Sequence, residues 1–375
     1  MVLSNAFSTT SESSYIVQQN NIFFLILAIN ATTAIVDAAV SKAGGQALDY
    51  VPIIAGAGYY KQTGLDIEAD GEEQAGDADA ILLGAIGLPS VRRPDGTEIA
   101  PHLRLRDRYG LYAGVRPVKA YPNAPQRLAD PQAAKIDLII LRESTEGLFY
   151  SAAVHGRGEV IGDSEARDIL RITRLTTEKL HNFAFRLATR RKERGGKGKV
   201  TCVDKANVFN SMAFFRKIFD EIAPNYPDIE HDHAYVDAQA LNLIRHPWES
   251  DVLVMENMFG DILSDLGGGL VGGMGMAACA EIGDEHGLFQ PAHGTAPDIM
   301  GQDKANPLAA ILSGALMLDY LAEKTGSEAY AKASELVDTA VEAGFAANRI
   351  RPMEFGGDMG TIAVTNEILA QIDSQ

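Results

Sequence analysis

The chain has 375 residues, 46% hydrophobic and 22% charged, an ordinary globular composition with room for two domains. Its 50 acidic residues outnumber 33 basic ones, for a net charge of −17, which argues against a nucleic-acid or anionic-membrane partner. The two cysteines, Cys202 and Cys279, sit far apart and in no metal-ligand spacing, so a reducing, cytoplasmic setting is expected.

Residues 1–20 are polar and low in charge and predict a flexible extension. The apolar run Ile22–Ala28 follows without a preceding basic residue, so it reads as a buried first strand and not a secretory signal. It is also far too short to span a membrane. Ala34–Lys42 has helical apolar spacing. Tyr50–Ala55 and Asp79–Gly87 read as further strands. Apolar runs alternating with helical patterns predict an α/β sheet.

The segment His102–Pro117 is dense in arginine. Two readings fit it equally: surface ion pairs on a helix, or guanidinium forks for a di- or tricarboxylate. Ile136–Leu141 is a buried strand ending in Arg142-Glu143-Ser144-Thr145-Glu146-Gly147. Residues 155–168 suggest an arm or hairpin, and 173–195 an amphipathic helix. A short strand, Val200–Val203, leads into Asp204-Lys205. That lysine is either a surface ion-pair member or a base with a lowered pKa. His231 and His233 share a strand face, but no third nitrogen or sulfur ligand lies nearby for zinc. Asp237 is a carboxylate just past that strand.

The strand Val252–Val254 precedes Asp261 and Asp265, which are four residues apart. On a helix they share a face. A lone pair of this kind reads best as a solvated face, but open α/β sheets place ligand chemistry past the carboxyl ends of strands. Oxygen ligands in such a place suit a hard divalent cation. The glycine run 267–275 lacks the P-loop pattern. His293–Asn306 is a polar loop, and 307–323 and 328–345 are helices.

Six stretches in order complete the picture: LRLRDRYGLYAGVRPVK (103–119), LIILRESTEGLF (138–149), DKANVF (204–209), YVDAQALNL (235–243), MENMFGDILSDLGGGLVGGMGM (255–276) and HGTAPDIMGQDKANPLAAILSGALML (293–318). The chain resembles the β-decarboxylating dehydrogenases, which act on 3-isopropylmalate, isocitrate, homoisocitrate and tartrate or D-malate. The resemblance covers most of residues 80–320. It implies a two-domain isopropylmalate/isocitrate dehydrogenase-like α/β fold, distinct from the Rossmann fold. The cofactor domain would combine 21–111 with 273–375. A substrate and dimer-interface domain would span 112–272.

Roles follow from the resemblance. Arg106, Arg116 and Arg142 match substrate-gripping arginines. Asp237, Asp261 and Asp265 match the ligands of Mg²⁺ or Mn²⁺. Lys205 matches the lysine that serves the substrate hydroxyl. In a homodimer, Lys205 and Asp237 would reach into the partner's site. His293, Gly294, Thr295, Ala296, Pro297 and Asp298, with Asn306, match the part that holds adenosine. The acid Asp298 favours NAD over NADP. His102 and Leu103 lie where the family reads the substrate's variable group, and RESTEG is closer to the tartrate/isocitrate branch. The family's catalytic tyrosine falls at Phe149, which leaves Tyr150, next in the chain, as the expected acid. The family's glycine-rich first turn falls at Ile29–Ala34, which contains no glycine, and Gln290 stands where many members have glutamate. Two readings of function remain: an NAD- and metal-dependent oxidative decarboxylase, or a non-catalytic paralogue binding a carboxylate in a hetero-oligomer. The intact arginines, lysine and aspartates favour the enzyme.

Overall fold

The computed structural model describes residues 2–4, 15–18, 23–151 and 158–375. In chain order these form β1 (Val2–Ser4), β2 (Tyr15–Gln18), α1 (Phe23–Lys42), β3 (Asp49–Ile54), α2 (Ala57–Thr63), α3 (Gly71–Gly76), β4 (Ala80–Leu82), α4 (Pro101–Arg108), β5 (Ala113–Lys119) and β6 (Asp137–Glu143). A small hairpin, β7 (Glu159–Ile161) and β8 (Glu165–Arg167), precedes α5 (Arg174–Glu193), β9 (Lys199–Asp204), α6 (Asn210–Ile222), β10 (Glu230–Tyr235) and α7 (Val236–Arg245). Then come β11 (Val252–Met255), α8 (Asn257–Leu270), β12 (Ala278–Ile282), β13 (Gly287–Pro291), α9 (Leu308–Thr325), α10 (Glu328–Ala346) and α11 (Thr361–Ser374).

One eleven-stranded mixed sheet runs through the described residues in the order β10-β9-β11-β6-β5-β12-β13-β4-β1-β2-β3. The strands β10, β9, β11 and β6 are parallel. Parallel strands are covered on both faces and so read as continuous apolar runs, as the fully buried Val252–Met255 does. Helices α5 and α6 pack on one side of this group, and α7 and α8 against the other. Helix α9 packs on β12 and β13, and α1 packs on α9, α10 and α11. The two groups of strands meet where β5 pairs antiparallel with β12 through Ala113↔Ile282, Gly114↔Glu281 and Val115↔Ala280.

The amino-terminal expectation needs correction. Residues 23–28 are not a strand and 29–34 are not a turn, because both lie within α1. The run Phe23–Lys42 contains neither glycine nor proline to interrupt it, and an all-round apolar helix is stable when buried. Ile35, Val36 and Ala39 are fully buried. Gly314 of α9 allows the approach, since a Cβ there would lie 2.8 Å from Thr32 Cγ2. Within the expected flexible extension, 2–4 and 15–18 are strands paired with β3 and β4 or with each other. The rest of that extension, and residues 155–157 of the expected arm, lie outside the described residues. The described part of the arm forms the β7–β8 hairpin. No helix among the described residues is long and apolar enough to cross a membrane.

The core on the α5–α6 side holds a titratable group. His181 is fully buried, with Nε2 3.1 Å from the Phe215 carbonyl and its ring edge-on to Phe215 and Phe219. Burial pushes its pKa down to about 3 from an ordinary 6.5. The unfolded chain takes up a proton below 6.5 and the folded chain does not, so this residue costs stability as pH falls through that window. The slope is about 1.4 kcal/mol per pH unit. Denaturant titrations should therefore show wild type losing that much relative to His181→Leu for each unit between about pH 6 and 4. Parallel pH dependences for the two proteins would refute this account of His181.

Candidate active site

Helix α4 separates the arginines that composition left ambiguous. Pro101 occupies its first turn, where the missing N–H costs nothing. Arg104 and Arg108 face outward and pair with Asp66, Glu72 and Glu73. Here the surface reading holds. Arg106 turns the other way and is buried. It meets Arg116 from β5 and Arg142 from the end of β6, each with a side chain no more than 8% exposed. Burying such charges is costly unless they are paired.

The pairing comes partly from a residue that sequence reading did not single out. Glu281 of β12 is completely buried. Its Oε1 pairs ionically with Arg106 Nη2 at 2.6 Å and accepts a hydrogen bond from Arg116 Nη2 at 2.9 Å. Burial alone would raise its pKa, but Arg106, Arg116 and Arg142 outweigh burial and hold it at about 2. The His102 ring lies within the same field. Burial first, and then the Arg106 charge, push its pKa down to about 3, so it is neutral.

Arg142 is held from α8. Asn257, also fully buried, accepts from Arg142 Nε at 2.9 Å and Nη2 at 2.6 Å, and donates to the Glu146 carbonyl at 3.0 Å. Arg142 Nη1 pairs with Asp261. Burial, then the neighbouring Arg106, lower its pKa to about 10. The close contact between α8 and β6 needs Gly260, where a Cβ would come 2.5 Å from Arg142 Cβ. The helix begins under a cap, Glu256 accepting from the Phe259 amide at 2.8 Å. Four residues along, Asp261 and Asp265 project one turn apart as expected. Burial and the Asp261 charge raise the Asp265 pKa.

Lys205 and Asp237 are placed differently. Lys205 Nζ is 2.5 Å from Asp237 Oδ1, and Asp237 is exposed. Asp237, Asp261 and Asp265 do not form one cluster within this chain. Among the described residues no group of three His, Cys, Asp or Glu side chains is placed to hold a metal. The oxygen pair on α8 fits part of a hard-cation site. Phe149, not Tyr150, lies by the arginines: Arg142 Cζ stands 5.0 Å from the Phe149 ring centre. Tyr150 instead stacks on Arg171, 3.9 Å from its Cζ.

A second part of the site is a cavity of about 660 Å³. His293, Gly294, Thr295, Ala296, Pro297 and Asn306 line it, while Asp298 does not. Ala296 holds φ +41°, in the left-handed region that non-glycine residues rarely adopt. Thr295 Oγ1 donates to the Gly87 carbonyl at 2.5 Å. Asn306 Nδ2 donates to Glu354 at 2.9 Å, and Glu354 also accepts from the Gly275 amide at 3.1 Å. A largely pre-formed, mostly apolar cleft with a few placed polar groups is the usual form of a cofactor site.

The family model described as isocitrate/isopropylmalate dehydrogenase matches residues 28–372. The chain belongs to that family. It is a dehydrogenase of the β-decarboxylating kind, acting on a CH–OH group. The 3-isopropylmalate/3-methylmalate dehydrogenase of Methanocaldococcus jannaschii is 40% identical over 334 residues, 89% of this chain and 92% of that protein. The homoisocitrate dehydrogenase of the same organism is 39% identical over 324 residues, 85% of this chain and 88% of that protein. Among solved structures, isocitrate dehydrogenase from Methylococcus capsulatus superposes with a TM-score of 0.79 at 28% identity, covering 96% of this chain and 99% of that one. A beta-decarboxylating dehydrogenase from Thermococcus kodakarensis gives 0.76 at 31% identity, covering 96% of each chain. The family and the isopropylmalate/isocitrate dehydrogenase fold inferred from the motifs are thus confirmed. Relatives at nearly equal identity carry different substrate names, so similarity alone does not choose among them.

Two residues of this family member's site escaped the sequence reading. Asn257 lies inside the motif at 255–276, four residues before Asp261, where the aspartates carry the stronger signal. Glu281 had a signal: it is the one charged residue in the buried strand ACAEI, and almost no glutamate is fully buried without a partner.

Proposed function

We propose that this protein oxidatively decarboxylates a malate-type 2-hydroxy acid with NAD⁺ and Mg²⁺ or Mn²⁺, as a homodimer in the cytoplasm. The observation that carries this reading is the convergence of buried Arg106, Arg116 and Arg142 beside Asp261 and Asp265. Guanidinium groups bind carboxylates through paired hydrogen bonds, and burial strengthens them. Arg142, fixed by Asn257, orients one carboxylate. Arg106 and Arg116 take the other. Asp261 and Asp265 supply two oxygen ligands for the divalent ion, and Asp237 from the other subunit would supply a third. When bound, the cation polarises the hydroxyl and carboxylate oxygens and NAD⁺ accepts the hydride. Lys205, also reaching across, takes the hydroxyl proton. The cavity lined by His293–Pro297 and Asn306 would hold the adenosine, and Asp298, next in the chain after Pro297, is the acid that would favour NAD.

The dimer has support on the same elements. Val208 and Phe209 follow Lys205, Leu241 and Ile244 lie on α7, and Ile262 lies on α8, and each is a large exposed apolar side chain. Clustered apolar exposure marks an association face. Both cysteines are free and buried, which fits a reducing compartment.

The assay is NADH formation with Mn²⁺ and a panel of 3-isopropylmalate, D-malate, tartrate and isocitrate. Turnover of at least one, abolished by EDTA, is expected. One observation favours a non-catalytic carboxylate-binding paralogue instead: the ring beside Arg142 is Phe149, which has no proton to give. Tyr150 remains the candidate acid, and to serve it must leave its stack on Arg171. Carboxylate binding without turnover of any panel member would establish the non-catalytic reading.

A further inference from the structure

Glu281 occupies an unusual position for a carboxylate. It sits on the central strand β12, opposite Gly114 of β5. Its Oε1 is shared by Arg106, Arg116 and the Cys279 thiol, whose sulfur lies 3.4 Å away. The site is shaped around it. A Cβ at Gly114 would come 3.0 Å from Glu281 Oε2 and 2.6 Å from Ser144 Oγ, so a side chain there would press on both groups. The two arginines are not fully satisfied by this carboxylate. The Nε–H groups of both Arg106 and Arg116 are buried without an acceptor among the described residues. Buried donors of this kind are normally paired, so the pair retains capacity for an incoming anionic oxygen.

We propose that Glu281 is a specificity-determining residue: a built-in carboxylate that uses part of the Arg106–Arg116 pair and so limits the substrate to two carboxylates. This rests on the reading of the arginine cluster as the substrate site. With the charges of Asp261 and Asp265 offset by the divalent ion they would hold, three guanidinium groups less the Glu281 carboxylate leave two positive charges for the substrate. A 2-hydroxy dicarboxylate with an uncharged third substituent matches that. A tricarboxylate brings a further negative charge into a buried space already holding Glu281, where like charges repel strongly. Neutral His102 adds no positive charge to offset it.

The test compares full-length wild type, Glu281→Gln and Glu281→Asp. For each, kcat/KM is measured with Mn²⁺ and NAD⁺ for the best dicarboxylate and for isocitrate, alongside calorimetric titration with the same two acids. Wild type should favour the dicarboxylate. In Glu281→Gln the ratio of isocitrate to dicarboxylate should rise at least about tenfold in both measurements. Glu281→Asp keeps the charge and should keep the wild-type ratio within about threefold. A Gln variant that changes both acids by the same factor overturns the proposal, and so does wild type that binds isocitrate as tightly as the dicarboxylate. If Glu281→Gln fails to fold by circular dichroism, the wild-type ratio decides. Should wild type turn over nothing, the catalytic reading fails, while the titrations still decide the role of Glu281.

Discussion

Lys205→Met should lower kcat by about a thousandfold, within the 10²–10⁴ that a positioned proton acceptor contributes. Methionine keeps the length and the apolar stem but removes the amine that sits 2.5 Å from Asp237. Substrate affinity should change little, because the arginines that bind the carboxylates lie on α4, β5 and β6. A variant within about threefold of wild-type kcat would remove Lys205 from the chemistry. A mixing experiment then tests which subunit it serves. Lys205→Met and Asp261→Asn chains are inactive separately. If Lys205 acts across a two-fold interface, a mixed dimer carries one wholly native site and one doubly damaged site. A random mixture should recover about a quarter of wild-type activity. If Lys205 serves its own chain, each mixed site carries one lesion and nothing is recovered.

Asp261→Asn should be the other severe substitution. It removes one of the two carboxylate charges on α8 yet keeps the shape and an oxygen facing Arg142. Divalent ions of the Mg²⁺ and Mn²⁺ type bind through few carboxylates, so losing one charge is a large fraction of the site. Mn²⁺ affinity, read by calorimetry or electron paramagnetic resonance, should fall at least about tenfold, with kcat/KM falling by about 10³. The direct ion readout separates loss of metal from loss of fold. Unchanged Mn²⁺ affinity would place the cation elsewhere.

The sequence carried much of this site because the family motifs fix residues whose chemistry is scarce. The shared face of Asp261 and Asp265 was legible from spacing, since four residues on a helix put two side chains together, but their reading as a cation pair came only with the family resemblance. Composition showed the arginines only as a cluster, and the resemblance alone named Arg106, Arg116 and Arg142. Which of Arg104, Arg106 and Arg108 turns inward depends on where α4 lands, and Asp66, Glu72 and Glu73 claim the outer pair. The first element was misread because a short apolar run suits a buried strand or a buried helix equally. What decided it was the absence of any breaker before Gly44. Glu281 was missed for a different reason. Its arginine partners lie more than 160 residues away in sequence, and such long-range pairing leaves no local periodicity.

The narrow seam between β5 and β12 has a mechanical consequence. Only three residue pairs join the strands there, against seven between β5 and β6, and the central pair is Gly114 with Glu281. The charged lever that grips Arg106 and Arg116 is mounted on one side of this join, on β12, and Arg116 lies on the other, on β5. Any flexing of one half of the molecule against the other changes the reach of that lever. The anion pocket and the join between the two groups of strands are therefore built from the same residues, Gly114, Arg116 and Glu281.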